Sequence, residues 1–414
     1  MVTIILISPP EKHVLMEAGD RPNLGILYLA GAIKTRYHNP IIIDLNHDSY
    51  NTLDKYIKLE RPSYIGITTS TPYYNWIINF ASHLKHRYPK IKLIAGGPHA
   101  TVLPETLLPY FDFVVKGEGE KAIVDIIKKI VPEGIVKYPY EKNLDNLAFP
   151  SREILLMNRY GINQNGVRTA TLLSSRSCPY NCFFCTKNIL GPTTRYHSPE
   201  RTIKELKQLI RMGFHSFYFL DDCFTVNRKR VIKLCKLIIK NKLKITYRII
   251  TRTDIVDRKL LTLMKESGLN YISFGIEHMN NEVLKKSEKN NTVENNIKAV
   301  ELAKDLGLKI RASMIMNLPG ATKETMYECL EFAKKYKIDY ADFYLLQAYP
   351  GTRLWDNPEK FGCKINDRSF DYYQTSGRTN ISIDSMKDDD VLETYRKINE
   401  EWRKFKRSEV PWEC

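Results

Sequence analysis

Short apolar runs alternate with amphipathic stretches through the first third of the chain. The amphipathic stretches repeat their apolar positions at helical spacing, as near Leu24–Tyr37 and Trp76–Tyr88. Continuous Val/Ile-rich strands separated by helices are typical of a doubly wound parallel sheet, because helices cover both faces of such a sheet. The predicted strands are Thr3–Ser8, Ile41–Asp44, Tyr64–Thr68, Lys92–Ala95 and Phe113–Lys116.

Small or flexible residues follow the last three of these strands. In order along the chain they are Thr68, Thr69 and Ser70; then Gly96, Gly97, His99 and Thr101; then Gly117, Glu118, Gly119 and Glu120. Ligands of doubly wound sheets bind beyond the carboxyl ends of the strands, and glycine lets the backbone approach a ligand closely. Three such turns in register favour a ligand site over plain tight turns.

A second alternation of strands and helices begins after residues 131–165, where periodicity fades and Pro, Asn and charged residues accumulate. Helical patterns follow the strands, for example at Lys204–Met212 and Arg230–Lys240. Six such units indicate a barrel or part of one, with its chemistry at the carboxyl ends of the strands. The predicted strands are Arg168–Ser174, Ser216–Leu220, Lys244–Ile250, Tyr271–Gly275, Lys309–Met316 and Tyr340–Leu346.

The pattern therefore predicts an α/β protein of several domains. A doubly wound, Rossmann-like domain occupies residues 1–140, a linker 141–165, and a partial (β/α)6 barrel 166–350. Residues 351–414 form a small helical cap that holds Trp355, Trp402 and Trp412. A chain of 414 residues is too long for one ordinary core, which agrees with this division.

The charge of the chain is uneven. Residues 1–140 hold 16 basic and 13 acidic residues, so +13 of the formal net charge of +16 lies beyond them. A basic surface there would attract nucleic acid, phosphorylated metabolites, an anionic membrane or an acidic protein, although solubility alone also produces such a balance. With 43% apolar and 27% charged residues, the composition is that of a globular protein.

The chain has neither the residue order of a signal peptide nor an apolar run near the ~20 residues of a membrane span. We therefore expect a cytoplasmic protein without an integral membrane segment. Its eight cysteines are too sparse for a disulfide framework, but three of them fall within eight positions. In a reducing compartment such crowding indicates a metal.

The crowded cysteines are Cys178, Cys182 and Cys185, directly after the first strand of the second alternation. A zinc site needs a fourth ligand, usually from a second CxxC pair, and none is near. Three thiolates in one loop suit a [4Fe–4S] cluster whose fourth iron is open to a substrate or cofactor.

This CxxxCxxC spacing, with Phe184 before the third cysteine, resembles the signature of the radical S-adenosylmethionine (SAM) enzymes. In that family the open iron chelates SAM, and an electron splits it into methionine and a 5′-deoxyadenosyl radical that takes hydrogen from unactivated C–H bonds. Further segments resemble, in order, those of members with an N-terminal cobalamin-binding domain, the class B radical SAM methyltransferases. They are Leu24–Ala30, Gly96–Thr101, Gly117–Glu120, Phe219–Phe224, Phe274–Glu277, Leu318–Gly320 and Tyr349–Thr352.

The resemblance implies roles for single residues. Cys178, Cys182 and Cys185 ligate the cluster and Phe184 packs the adenine. The other implied SAM contacts are Asp221, Asp222, Glu277, Lys289 and, on the fifth barrel strand, Ser313. The implied cobalamin contacts are Thr68, Thr69, Ser70, Gly96, Gly97, His99, Gly117, Glu118 and Gly119.

Some positions depart from known patterns or have no assigned role. The chain lacks the DxHxxG motif whose histidine ligates cobalt in other cobalamin proteins, and the resembled family generally lacks it too. Cys223 is a candidate to face the site. Candidates for substrate contact are Tyr344, Gln347, Tyr349 and Trp355, although aromatic residues at strand ends more often pack in the core.

The implied activity is methylation of an unactivated carbon, or of phosphorus, with the [4Fe–4S] cluster, SAM and cobalamin as cofactors. Its partners are an electron donor of the flavodoxin or ferredoxin type and an anionic small molecule, lipid or peptide as substrate, and the enzyme is a monomer or homodimer. A radical enzyme that closes rings, couples carbons or oxidises, with or without cobalamin, stays open as an alternative.

Two other classes fit less well. The tRNA methylthiotransferases need three further cluster cysteines in an N-terminal domain, and no cysteine precedes Cys178. A cobalamin or iron–sulfur sensor that binds nucleic acid would not need Asp221, Glu277 or Lys289, so turnover of SAM separates a sensor from an enzyme.

Overall fold

The computed structural model describes residues 2–10, 21–34, 39–155, 157–160, 167–370, 373 and 377–409. Two compact units divide the chain. The first unit holds Met1–Ser177 and Lys187–Phe217, and the second unit holds Cys178–Thr186 and Tyr218–Cys414. Three features predicted from the sequence lie outside the described residues: the end of the first helix at Tyr37, residues 161–165 of the linker, and Trp412.

A six-stranded parallel sheet of order β2-β1-β3-β4-β5-β6 forms the centre of the first unit. Its strands are β1 Thr3–Ser8, β2 Asn39–Asp44, β3 Tyr64–Thr68, β4 Lys92–Gly96, β5 Phe113–Lys116 and β6 Gly134–Lys137. The helices between them are α1 Leu24–Lys34, α2 Tyr50–Glu60, α3 Tyr74–Arg87, α4 Pro98–Val102 and α5 Glu120–Ile127. The predicted doubly wound domain is thus confirmed in its strands.

Apolar burial explains why these runs are strands. Ile4, Ile5 and Ile7 on β1 and Ile65 on β3 are almost completely buried, as the centre of a sheet covered on both faces requires. The sequence analysis did not predict α2 or β6. Only Leu53 and Ile57 of α2 are buried, and β6 is a short edge strand within the stretch where periodicity fades.

A second six-stranded sheet has the order β14-β13-β12-β11-β10-β7. Its strands are β7 Thr169–Leu172, β10 Ser216–Phe219, β11 Thr246–Thr251, β12 Leu269–Glu277, β13 Lys309–Ile315 and β14 Tyr340–Tyr344; β8 Ser175–Arg176 pairs separately with β9 Arg195–Tyr196. The associated helices are α6 Pro199–Arg211, α7 Arg228–Lys240, α8 Arg258–Glu266, α9 Asn281–Lys286, α10 Val293–Asp305 and α11 Lys323–Lys335. All six predicted strands of the partial barrel are confirmed.

The strands β11 to β14 run parallel and place alternate residues on opposite faces. On β13, Ile310, Ala312 and Met314 are completely buried, whereas Arg311 and Ser313 between them are only half-buried. One face of this sheet is therefore apolar core, and the other is polar and accessible to a ligand.

The chain beyond β14 is mainly helical, with α12 Arg353–Asp356 and the long α13 Asp388–Glu409. Between these helices an antiparallel pair, β15 Cys363–Ile365 and β16 Ile381–Ile383, adds strands that the sequence analysis did not predict. The predicted domain boundaries at residues 140, 165 and 350 stay predictions. Among the described residues, no helix has both the length and the apolar character that a membrane span requires.

Candidate functional site

The three crowded cysteines lie on one irregular segment of the second unit, Cys178–Cys185, here called the cysteine loop. Ser177, just before it, has a φ of 71°, a left-handed conformation that turns the chain out of β8. The Cys185 N–H donates to the Cys182 carbonyl at 3.2 Å, which closes a tight turn within the loop. None of these three cysteines is in a disulfide; Cys178 and Cys182 are half-buried and Cys185 is exposed.

The donor set of this loop fits an iron–sulfur cluster. Within the described ranges, no group of three His, Cys, Asp or Glu side chains is gathered to hold a single metal ion. A [4Fe–4S] cluster does not need such a group, because each cysteine binds a different iron and the three sulfurs stay apart. Three thiols outside disulfides on one partly open loop meet that requirement.

The surroundings of the loop favour thiolate at one cysteine in particular. The Cys223 thiol donates a hydrogen bond to Cys178 and lowers the pKa of Cys178, and the nearby Arg252 guanidinium acts in the same direction. Burial raises the pKa of Cys182, while Lys289 and Arg252 oppose that rise. Because it hydrogen-bonds Cys178, the structure places Cys223 beside the loop. Cys223 is buried there, and its Sγ also lies 3.6 Å from the Thr251 hydroxyl.

Residues beyond β14 hold the cysteine loop in place. Arg353 donates to the Asn181 carbonyl at 2.7 Å, and the Leu354 N–H donates to the Phe183 carbonyl at 3.0 Å. The buried Phe183 ring stacks on Phe361, with centroids 4.4 Å apart and planes 26° apart. Sequence reasoning missed these supports, although the segment Tyr349–Thr352, which it did single out, lies just before Arg353.

Two implied SAM contacts form an ion pair at the end of β12. Lys289 Nζ donates to Glu277 Oε1 at 2.8 Å and also to the Gly275 carbonyl, and the Lys289 side chain is only 3% exposed. Glu277 has a φ of 63°, so the strand bends there and turns the carboxylate back toward the lysine. The pair presents a half-buried carboxylate beside an ammonium that still has hydrogen-bonding capacity.

The remaining implied SAM contacts differ in exposure. Asp221 is completely buried and its carboxylate lies 3.5 Å from Arg230 Nη2, whereas Asp222 next to it is exposed. Ser313 is half-buried and lies opposite Gly275 in the sheet register. Phe184 is half-buried, with its ring nearly perpendicular to that of Phe183 at 5.4 Å. The roles of all these residues stay predictions.

In the first unit, hydrogen bonds join the three predicted turns at the carboxyl edge of the sheet. We call residues 68–70, 96–101 and 117–119 the cradle. Thr69 Oγ1 donates to the Gly96 carbonyl at 2.9 Å and accepts from the Ala100 N–H at 3.1 Å. The Gly117 N–H donates to Thr101 Oγ1 at 3.1 Å. The structure thus brings these segments together as the sequence predicted.

The cradle combines a turn that only glycine can form with a buried polar group suited to a ligand. Gly97 has a φ of 102°, and a Cβ there would lie 2.8 Å from Thr68 Oγ1, so the turn depends on glycine. Ser70 Oγ is buried without a hydrogen-bond partner among the described residues. An orphaned hydroxyl beside a turn of small residues fits a large polar cofactor such as cobalamin.

Two implied cobalamin contacts already have protein partners. The His99 ring nitrogens lie 3.0 Å from the hydroxyls of Thr71 and Thr106. Glu118 accepts from Arg176 at 2.7 Å and from Arg195 at 3.0 Å. Both side chains therefore hold segments of the first unit together through hydrogen bonds. Their role as direct cofactor contacts stays a prediction.

A cavity of about 890 Å³ lies elsewhere in the first unit, at the amino-terminal ends of its strands. Its lining includes Lys58, Arg61, Tyr64, Phe113 and Lys129, and none of the predicted site residues. Ligands of such sheets bind at the other end, where the cradle lies, so the cradle and not this cavity is our candidate for the cofactor site.

Family models and relatives agree with this arrangement. Residues 16–127 match the B12 binding domain, and residues 172–333 match the radical SAM superfamily. The chain is 34% identical over 384 residues to an uncharacterized methyltransferase of Pyrococcus horikoshii, covering 86% of this chain and 83% of that protein. It is 28% identical over 386 residues to the anaerobic magnesium-protoporphyrin IX monomethyl ester cyclase of Rubrivivax gelatinosus, covering 86% of this chain and 69% of that protein.

A solved structure shares the fold. The radical SAM methyltransferase TsrM from Kitasatospora setae superposes with a TM-score of 0.76 at 15% identity, covering 98% of this chain and 89% of that chain.

The chain belongs to the cobalamin-dependent radical SAM methyltransferase family, whose members include methyltransferases and cyclases. It is an enzyme whose cofactors are a [4Fe–4S] cluster, SAM and cobalamin.

Proposed function

We propose that this enzyme methylates an unactivated carbon, or phosphorus, of its substrate. The observation that supports the proposal best is the presence in one chain of the three-thiol cysteine loop and a glycine-dependent cradle with an orphaned hydroxyl. When bound, the cluster with SAM supplies hydrogen abstraction, and cobalamin supplies a methyl group.

In this proposal the residues of the second unit hold and orient SAM and the cluster. Cys178, Cys182 and Cys185 each give one thiolate to the cluster. The Glu277–Lys289 pair offers a carboxylate to hydroxyl or ammonium groups of SAM and an ammonium to its carboxylate. Because Lys289 is almost completely buried, its position is fixed before SAM binds, which reduces the entropy lost on binding.

The polar face of the second sheet is our candidate for substrate contact. Arg311 pairs with Asp342, and Tyr344 lies beside them with its pKa raised to about 12 by burial. Tyr344 therefore stays protonated at neutral pH and can donate a hydrogen bond to a substrate. Together with the basic excess beyond residue 140, this face supports an anionic small molecule, lipid or peptide as substrate.

The other substrate candidates lie nearer the end of the chain and already have protein contacts. Gln347 donates to the Arg378 carbonyl at 3.2 Å, and the Tyr349 ring packs on Tyr373 at 4.7 Å. The Trp355 ring lies under the Arg368 guanidinium at 4.5 Å. We give Tyr344 precedence over these three because it lies on the polar face of the sheet, whereas they lie beyond β14.

The test is anaerobic reconstitution of the chain with iron, sulfide and hydroxocobalamin, followed by incubation with SAM and a strong reductant. We expect bound cobalamin and the formation of 5′-deoxyadenosine and S-adenosylhomocysteine. In Cys182→Ala, 5′-deoxyadenosine should fall to background. Deoxyadenosine without bound cobalamin would contradict methyl transfer by this route.

A radical cyclase is the second candidate, favoured by the similarity to the Rubrivivax gelatinosus cyclase. Product mass separates the two reactions once a substrate is in hand. Methylation adds the mass of one CH₂ group to the substrate, whereas ring closure does not. An electron donor of the flavodoxin or ferredoxin type would replace the chemical reductant in either case.

A further inference from the structure

Arg252 lies directly after β11 and reaches the cysteine loop. The residue is 6% exposed, and its guanidinium carbon sits 3.9 Å from the centroid of the Tyr180 ring. Tyr180 stands between Cys178 and Cys182 in the sequence. A guanidinium stacked on an aromatic ring in a desolvated place is an attractive contact, so Arg252 helps to hold the loop.

The guanidinium is fixed along one edge. Its Nε and Nη2 donate to the two carboxylate oxygens of Asp254, both at 2.8 Å. Nη2 also donates to the carbonyls of Lys289 at 2.7 Å and of Asn290 at 3.3 Å. Such a fork leaves the side chain little freedom to rotate.

The opposite edge has no such partner. Arg252 Nη1 is buried and makes no hydrogen bond to any residue that the structure describes. A buried N–H without an acceptor is unfavourable, so an acceptor is expected at this position in the loaded enzyme. Tyr180, on which the guanidinium stacks, is two residues from Cys178 and two from Cys182, so the positive charge of Arg252 lies at the cysteine loop.

We propose that Arg252 is a positioning residue that clamps the cysteine loop through Tyr180 and stabilises the reduced state of the cluster by its fixed positive charge. The inference rests on the proposed function, because it requires a cluster on this loop. Reduction adds one negative charge to the cluster, and a nearby cation stabilises the more negative state in a place of low dielectric. The Nη1 group can donate a hydrogen bond to an anionic group of the cluster or of SAM when these are bound.

Variants of the neighbouring charges test this role in opposite directions. Arg252→Gln removes the positive charge, so it should lower the ratio of reduced to oxidised cluster about tenfold at a fixed potential, a shift of about 59 mV to more negative potential. Asp254→Asn removes the counter-charge and should shift the midpoint to more positive potential. Arg252→Lys keeps the charge and should stay near the unmodified chain.

The measurement is a potentiometric titration of the reconstituted full-length chain, followed by electron paramagnetic resonance without added substrate. Arg248→Gln is the matched control, because Arg248 lies on β11 four residues before Arg252 and its guanidinium likewise stacks on a tyrosine, Tyr218, at 3.7 Å. Its midpoint should not move. Iron content and melting temperature of each variant report whether the cluster and fold are intact.

Each outcome has a distinct meaning. Equal midpoints for Arg252→Gln, Arg248→Gln and the unmodified chain would overturn the role of Arg252. If Arg252→Gln takes up no iron, the direction of the Asp254→Asn shift decides, and a midpoint that stays in place overturns the proposal. An unmodified chain that assembles no [4Fe–4S] cluster overturns the proposed function instead.

Discussion

The Glu277–Lys289 pair depends on the absence of a side chain at Gly275. A Cβ on Gly275 would lie 2.7 Å from Glu277 Oε1, closer than such atoms approach in proteins, and 3.0 Å from Lys289 Nζ, tighter than most such contacts. Gly275→Ala must therefore displace the Glu277 carboxylate and crowd the Lys289 ammonium, which disturbs the pair. We expect the dissociation constant of SAM to rise about tenfold, or about 1.4 kcal/mol, measured by equilibrium binding to the reconstituted chain.

Ser273→Ala is the control for this change, because Ser273 precedes Gly275 by two residues on the same face of β12. It should bind SAM like the unmodified chain, and both variants should retain their iron. Unchanged affinity in Gly275→Ala would show that the pair does not contact SAM.

His99 makes the stability of the first unit sensitive to acid. Thr106 donates its hydroxyl proton to the Leu103 carbonyl at 2.8 Å, so His99 Nε2 carries the hydrogen toward Thr106 and Nδ1 accepts from Thr71. Burial lowers the pKa of His99 from 6.5 to about 4. The unfolded chain thus binds a proton near pH 6.5 that the folded chain binds only near pH 4.

The contribution of His99 to stability is complete above pH 6.5 and is lost as the pH falls toward 4. Between about pH 7.5 and about pH 5, the loss from one such histidine is about 2 kcal/mol. Urea unfolding of His99→Gln should show a pH-dependent loss smaller by that amount. His83→Gln, at an exposed position on α3, should keep the full loss, and equal losses in both variants would contradict this reading.

The sequence predicted the role of a residue only where residues close to it in the chain form the same motif. The cysteine spacing located the loop, and the glycines located the cradle. The partners of Glu118 were not predictable, because Arg176 and Arg195 lie 58 and 77 residues away along the chain. Arg252 was missed for a similar reason, since its contact with the loop depends on how β11 ends in the folded sheet.

At the scale of elements, the segment after β14 supports the cysteine loop. Phe361→Ala removes the ring on which Phe183 stacks, a contact worth about 1 kcal/mol beyond burial. We expect iron to leave the reconstituted cluster for a chelator about fivefold faster, because the loop loses part of its support. Absorbance of the iron–chelator complex follows the rate.

Phe405→Ala is the matched control, since Phe405 on α13 also stacks on an aromatic ring, that of Trp402 at 5.6 Å, away from the loop. Its rate of iron loss should equal that of the unmodified chain. Equal rates for both variants would show that the segment after β14 does not stabilise the loop.

Element prediction succeeded where burial gives a strong pattern and failed where it does not. β1 and β3 are buried along almost their whole length, and their predicted bounds agree with the structure. β6 has four residues, of which only Val136 is buried while Ile135 is 42% exposed, so its sequence carries little strand signal. β15 and β16 have three residues each, too few for any period to show.

At the scale of the whole molecule, one chain carries two candidate cofactor sites of different chemistry. The cysteine loop offers thiol ligands, whereas the cradle offers glycine turns and a hydroxyl. The B12 binding domain match ends at residue 127 and the radical SAM match begins at residue 172. The cradle consists of residues of the first unit, and the cysteine loop belongs to the second. Binding of one cofactor should therefore not require the residues that bind the other.

Reciprocal variants test this independence. Gly97→Ala places a Cβ 2.8 Å from Thr68 Oγ1 and strains a φ of 102°, so cobalamin affinity should fall about tenfold or more while iron uptake stays normal. Cys182→Ala should lose the cluster and keep cobalamin, read from the visible spectrum after desalting. Gly213→Ala controls for backbone strain alone, because its φ of 86° is also positive but nothing lies within 4 Å of its Cβ position.

The assignment of both sites requires that each variant lose one cofactor and keep the other. If Gly97→Ala and Gly213→Ala lose cobalamin equally, strain in the first unit, and not the shape of the cradle, explains the loss. If Cys182→Ala also loses cobalamin, the cysteine loop contributes to cobalamin binding, and the cradle is then only part of that site. Loss of iron but not of cobalamin in Cys182→Ala, with the reverse in Gly97→Ala, assigns each cofactor to the residues named for it.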